Sequence, residues 1–247
     1  MHQDLVHFLP LATTVLAAVF SVRVLNRWRE RRGLHLLWWG LGIAVYGLGT
    51  LTEAWTTLRG WNAGVFRAWY ISGALLGGWP LAQGTAYLLL PRRTANRLAV
   101  VVGSLVVVAA ACVLLSPVDA ALAETHRLSG RVLGWQWVRA FSPFINSYSA
   151  IMLVGGALLS AARYAKRGDM PERVAGNALI ALGGLLPGIG GGFTRFGHVE
   201  VLYVTELIGL LLVFAGYLRI TRPLLQVAAV QPATPREVSG REHGATG

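Results

Sequence analysis

Lysine and cysteine are almost missing from this chain, and acids are few. Its 247 residues include one cysteine, Cys112, and one lysine, Lys166. A single thiol closes no intrachain disulfide, and no His, Asp or Glu flanks Cys112 at a metal-ligand spacing. Cys112 therefore reads as a small core residue, and neither a metal nor a cofactor is expected. Eleven acids stand against 22 basic residues, a formal charge of +11. A nucleic-acid binder would gather such a surplus on one folded face beside stacking or base-reading groups. Here the arginines sit in short stretches between apolar runs, so nucleic acid is not expected as a partner. The common catalytic signatures are missing too: there is no HExxH, no GxSxG and no glycine-rich phosphate loop. The run Gly188-Ile-Gly-Gly-Gly192 is no dinucleotide fingerprint, because no strand–helix–strand unit surrounds it. The six histidines lie mostly at termini and loops and do not pair at mid-depth as haem ligation would require. No catalytic residue is assigned.

What is present is apolar length. Seven stretches are each about long enough to cross a bilayer: Leu5–Leu25, Leu36–Leu58, Ala68–Leu90, Leu98–Leu115, Pro143–Ala162, Val174–Gly190 and Glu200–Ile220. A spanning helix needs roughly 20 such residues. Backbone groups without water must be satisfied within a helix or a closed barrel, and barrel strands would be shorter and alternating. The expected class is all-α, a polytopic membrane protein with seven transmembrane helices over residues 1–227. A polar tail, Ala228–Gly247, reads as disordered, with Pro232 and Pro235 inside it. No kinase or cyclase domain is read, so a signalling role would need a separate protein partner.

The basic residues also predict orientation. Arg23, Arg27, Arg29, Arg31 and Arg32 follow the first span; Arg92, Arg93 and Arg97 follow the third. Arg163, Lys166, Arg167 and Arg173 follow the fifth; Arg219, Arg222, Arg236 and Arg241 follow or end the seventh. That side holds sixteen of the 22, and Arg59, Arg67, Arg127, Arg131, Arg139 and Arg195 hold the other. The positive-inside rule places the first side in the cytoplasm, giving a multi-pass protein of the cell (inner) membrane with its N-terminus outside. The surplus meets anionic headgroups, so the lipid bilayer is the main expected partner. The first span lacks a basic leader and a small-x-small cleavage site and reads as a retained anchor.

The longest connection, Ser116–Ser142, divides the spans three, one, three. Trp135 and Trp137 within it suit either the headgroup level or a lid over an outer pocket. Thr57-Leu-Arg-Gly60 resembles Thr194-Arg-Phe-Gly197, and Tyr70-Ile-Ser72 resembles Tyr203-Val-Thr205, which would make the triplets parallel repeats. Gly73 and Gly77 form a small-xxx-small pattern expected to face another helix. Pro187, in a glycine-crowded sixth span, is expected to kink or end it.

Few polar residues interrupt the spans, so each is informative. Trp39, Tyr46, Thr50, Glu53 and Thr57 share one helical face of the second span; Ser72, Leu76, Trp79, Gln83 and Tyr87 share one of the third. Tyr203, Glu206, Phe214 and Tyr217 lie near one face of the seventh. Glu53 is about 7 Å and Glu206 about 9 Å below the outer helix ends at 1.5 Å per residue. Their shared depth suggests one outer-half group for a small polar ligand, with Arg195 as preferred partner and Arg67 and His198 as competitors. Tyr46, Tyr70, Tyr203 and Trp79 would line it, with Gln83 deeper. The same group could instead be a structural ion pair. Asn177 is the other deep polar residue on the cytoplasmic side.

The segment from Trp38-Trp-Gly-Leu-Gly42 to Gly49-Thr-Leu-Thr-Glu53, then Phe66-Arg-Ala-Trp-Tyr70 and the glycine-rich third span, resembles the seven-helix sensor-type membrane regions at the N-terminus of some bacterial histidine kinases. It is also similar to small uncharacterised bacterial seven-helix proteins related to them. The resemblance implies a receptor-like or accessory module, and it carries over no ligand residues. The three-one-three plan is similar to small sugar transporters of the SWEET type, which makes a two-triplet transporter the alternative and a membrane-embedded enzyme the third reading. Microbial rhodopsins hold their Schiff-base lysine in the seventh span, where this chain has none, so a covalent retinal is not expected. The charge split makes a direct prediction: a cysteine placed in the tail should resist a membrane-impermeant thiol reagent in intact cells and react after lysis. Labelling in intact cells would reverse the orientation.

Overall fold

The computed structural model describes residues 6, 8–123, 128–168, 170–194 and 196–230, with side chains described as far as 221. Helices dominate and no named strand occurs among them. The long helices are α1 (Leu9–Arg31), α2 (Leu34–Arg59), α3 (Ala63–Trp69), α4 (Trp79–Leu89), α5 (Arg92–Leu115), α6 (Phe141–Ala150), α7 (Gly156–Arg167), α8 (Pro171–Thr194) and α9 (Val199–Val230). Six helical stretches are long and apolar enough to cross a bilayer: α1, α2, α5, the run Gln136–Arg167 that contains α6 and α7, α8, and Val199–Thr221 of α9. Stretches of this kind mark a multi-pass membrane protein. The helix of α9 continues through Val230, so the expected disordered tail starts no earlier than residue 231, and residues 231–247 lie outside the described part.

Each long helix divides its faces by the helical period. On α1, Thr13, Ala17, Phe20, Ser21 and Val24 are buried while Val15, Val19 and Val22 are exposed. An apolar face left uncovered on several helices is what a lipid solvent accepts and water does not. Polar contacts between helices are few and specific. Thr14 and Thr50 hydroxyls meet at 2.9 Å between α1 and α2, and Ser21 Oγ donates to the Gly40 carbonyl at 2.8 Å.

The third apolar run departs from expectation. Ala68–Leu90 is not one helix. After α3 the chain makes a π-helical segment, Tyr70–Leu75, then a non-helical turn through Gly77 and Gly78 before α4. Pro80, in the first turn of α4, has no N–H and its ring excludes a regular helix through the preceding turn. The break is sealed by protein: Asn146 Nδ2 of α6 donates to the Ala74 carbonyl at 3.2 Å. A Cβ on Gly78 would come within 2.8 Å of Ser149 Cβ, so α6 closes directly over the turn. The shift of phase scatters the expected face of Ser72, Leu76, Trp79, Gln83 and Tyr87. Gly73 does meet another helix, since a Cβ on Gly49 of α2 would lie 3.1 Å from its Cα. At Gly77 the nearest atoms to a Cβ would be those of Gly73 in its own segment, the oxygen at 2.5 Å. A second π-helical segment, Ile151–Gly155, joins α6 to α7. The span matched to the third in the proposed repeat, α9, is continuous through its whole length.

Pro187 does not end α8. The helix runs on to Thr194. The carbonyl deprived of its partner by the proline is that of Gly183, four residues earlier. It faces Gly209 of α9, where a Cβ would lie 2.7 Å from that oxygen. Gly176, Gly183 and Gly190 recur every seven residues on α8 and meet Gly216, Gly209 and Leu202 in turn on α9. Such a seam brings two backbones together in lipid, with room for weak Cα–H···O contacts.

The outer connection is a folded cap. Asp119 Oδ1 accepts from the Ala121 N–H at 3.0 Å and starts a 3₁₀ turn, Ala120–Leu122. Leu128, Val132, Leu133 and Val138 are buried with Phe66, Tyr70 and Val113. Trp135 and Trp137 stack on each other, partly exposed, at 6.1 Å. The segment therefore covers the helix ends and presents its tryptophan pair outward. The glycine seam gives the prediction for this level: Gly209→Leu should cost about 1–3 kcal/mol through overpacking, read as a lower unfolding midpoint in detergent. An unchanged midpoint would contradict the close approach.

Candidate functional site

Two places in the bundle bring polar groups together. The first is in the half of the bundle nearer the cap of residues 116–142. Glu53 of α2 is 4% exposed, and its Oε1 accepts from the Trp69 indole Nε1 at 2.9 Å. Its carboxyl lies beside that of Glu206 on α9. Glu206 is half-buried as a residue, but its Oε2 and that of Glu53 are both enclosed and have no hydrogen-bond partner among the described residues. The Tyr46 hydroxyl donates to the Glu206 backbone carbonyl at 3.3 Å. Tyr203, one turn earlier on α9, is buried.

The rest of the expected outer group is elsewhere. Arg67 Nη2 donates to the Ser116 carbonyl at 3.0 Å and ties α3 to the outer cap, not to Glu53. Tyr70 packs with Phe66, under Gly130 of that cap. Trp79 lies edge-on to Trp38 at 5.3 Å and against Gly103 of α5. Gln83 is fully buried between Tyr148, which donates to its Oε1 at 2.8 Å, and the Ala95 carbonyl, to which its Nε2 donates at 2.8 Å. His198 is exposed ahead of α9, and Arg195 lies outside the described residues. The physical reason for most of this scatter is the break after α3, which turns Trp79 and Gln83 away from the face carrying Trp69. The indole of Trp69, not a cation, is the partner seen for Glu53.

The second place is a cavity of about 400 Å³ at the other end of the same bundle. Six helices line it: α1, α2, α4, α7, α8 and α9. Its inner end is marked by Arg27, His35, Tyr164, Arg173 and Thr221, each close to the arginine-rich end of its helix. Its walls are Val24, Leu36, Leu81, Leu88, Leu89, Ala157 and Ile180, and it ends at Phe20, Ile43 and Val213. From His35 to Ile43 is eight residues of α2, about 12 Å. Ten further residues, about 15 Å, separate Ile43 from Glu53. Phe20 stacks on Phe214 at 4.5 Å and tilts against Tyr217 at 5.4 Å in that region. The two polar places are thus divided by a packed aromatic layer. Trp39 borders the cavity and is fixed, its Nε1 donating to the Leu81 carbonyl at 3.1 Å. Asn177 is also on the wall, its Nδ2 donating to the Arg173 carbonyl at 2.7 Å.

Compared with protein-family models, curated proteins and solved structures, the chain matches none of them.

Sequence reasoning reached Glu53 and Glu206 by depth, and missed Trp69 and the cavity. The signals for the cavity were present. Arg173, Asn177 and Ile180 follow helical spacing on α8, and Phe20, Val24 and Arg27 do so on α1. The outer group supports a stability test. Glu53→Ala leaves the Trp69 indole without an acceptor and Glu206 without its partner, and should cost about 1–3 kcal/mol. Glu53→Gln keeps an oxygen for Trp69 and gives Glu206 an N–H donor, so it should cost clearly less. Equal losses in thermal unfolding would contradict this pairing.

Proposed function

We propose that the protein crosses the membrane seven times and binds a small ligand in the cavity at the cytoplasmic ends of its helices. The seventh crossing is the broken helix from α3 to α4, counted as one. The N-terminus is outside and the inner cell membrane is its place, on the strength of the arginine split. The carrying observation is the cavity itself. About 400 Å³ of mostly apolar wall with a few converging polar groups is the usual form of a small-molecule site. This moves the ligand from the outer half, where Glu53 is packed against Trp69 and Glu206, to the inner half, where space is available. The protein then acts as a receptor-like or accessory module, in line with its resemblance to sensor-type membrane regions, and passes its state to a separate partner.

Transport is the second reading. It is favoured by one observation: an aromatic layer around Phe20 and Phe214 divides an inward cavity from a buried polar pair on the outer side. An inward-open carrier would have that arrangement.

Native mass spectrometry tests the binding reading. Protein extracted gently from its membrane should carry a small-molecule adduct, and Ala157→Trp, which fills the cavity, should lose it. Identical adduct spectra for the two proteins would count against the cavity as the site.

A further inference from the structure

We infer that the cavity takes a single-chain amphiphile with an anionic head, a carboxylate or a phosphate monoester, its head between Arg27, His35 and Arg173 and its chain along the apolar walls. The inference rests on the reading of the cavity as a ligand site and adds the ligand's chemistry. Arg27 and Arg173 come from different helices, α1 and α8, and both are half-buried. Each is held by a tyrosine. Arg173 Nη1 donates to the Tyr164 hydroxyl at 3.1 Å and its guanidinium lies over that ring at 5.2 Å. Arg27 lies beside Tyr217, which also lines the cavity. A guanidinium carries five N–H donors in a rigid fork, so most donors on both remain for a ligand. Among the described residues neither arginine is paired with a carboxylate. Glu172, next to Arg173 in sequence, lies 3.9 Å from Arg219 instead, at an exposed site. Glu30 is the other nearby acid, close enough to act on Tyr217 and exposed.

The positive charge is concentrated by its surroundings. His35 stands within electrostatic reach of Arg27 and edge-on to Trp39 at 5.4 Å. Among the described residues no Asp or Glu lines the cavity. A zwitterionic head would leave its own cation without a partner there, and a neutral head would leave two arginine forks without an acceptor. The far end gives the other half of the ligand. Phe20, Ile43, Leu81 and Val213 offer no free polar atom to a small hydrated anion, but they match a hydrocarbon chain. Arginine is also well suited to bidentate recognition of a carboxylate or a phosphate.

The test is a thermal-unfolding titration of the purified protein in a neutral maltoside detergent, with decanoate, decyl phosphate, decyl maltoside and inorganic phosphate as probes. Decanoate or decyl phosphate should raise the midpoint saturably, and the other two should not. Arg27→Gln with Arg173→Gln should weaken that response at least tenfold. Ala157→Trp should abolish it, and Ser160→Trp serves if the first does not fold. A response to decyl maltoside equal to that to decyl phosphate would overturn the anionic head while leaving the cavity as a site. A response to inorganic phosphate alone would overturn the chain and leave a free anion as the ligand. No response to any probe, or one untouched by filling the cavity, would overturn the site together with its ligand.

Discussion

A backbone carbonyl or N–H inside a bilayer has no water to turn to, and the whole arrangement depends on that constraint. Wherever a helix of this chain is interrupted, a neighbour has to close over the gap. The turn before α4 is closed by Asn146 on the Ala74 carbonyl and by Ser149 against Gly78. The proline in α8 frees the Gly183 carbonyl, and Gly209 of α9 brings its backbone up to it. Both solutions need residues with little or no side chain at the contact. Glycine also serves where no helix is interrupted, as at Gly40, Gly42, Gly47 and Gly49 of α2. The seam from Gly176 to Gly190 on α8 is the most regular case.

Close packing in some places leaves space in others. The π segment between α6 and α7 sets Gly156, Ala157, Ser160 and Tyr164 along the cavity, while Ser149 remains at the α4 turn. On the outer side, by contrast, the cap of residues 116–142 inserts Val132, Leu133 and Val138 among the helix ends. The bundle is thus filled at one end and hollow at the other. The carboxyl pair belongs to the filled end. There Trp69 donates to Glu53 and Tyr46 to the Glu206 backbone, which ties α3 and α9 to α2. The hollow end keeps its polar groups in a different state, with arginine donors held in place by Tyr164 and Tyr217 but not exhausted.

The membrane class and the position of most spans were legible in the sequence, because a bilayer imposes a length that Leu98–Leu115 or Leu36–Leu58 displays directly. The shared depth of Glu53 and Glu206 was legible for the same reason, since distance along a helix converts to depth. What failed was phase. Residues 72 to 87 share a face only if the helix between them is regular, and the Gly77-Gly78-Trp79-Pro80 stretch removes that regularity. Trp69 was hidden because an indole donor for a carboxylate looks like any other apolar residue in a span. The cavity was hidden because it is a property of six helices at once. Arg27 and Arg173 read as loop charges until α1 and α8 are placed side by side with α2.

The central claim is that water enters this bundle from the arginine-rich end and stops at the Phe20–Phe214 layer, below a closed carboxyl pair. A cysteine scan along α2 in a variant lacking Cys112, labelled separately from each side of oriented vesicles, measures it most directly. Labelling from the arginine-rich side is expected at positions 35 and 39, fading at 43, with positions 46, 50 and 53 unreactive from both sides. Reaction at 50 and 53 from the outer face, with 35 and 39 protected, would contradict it and return the ligand site to the outer half.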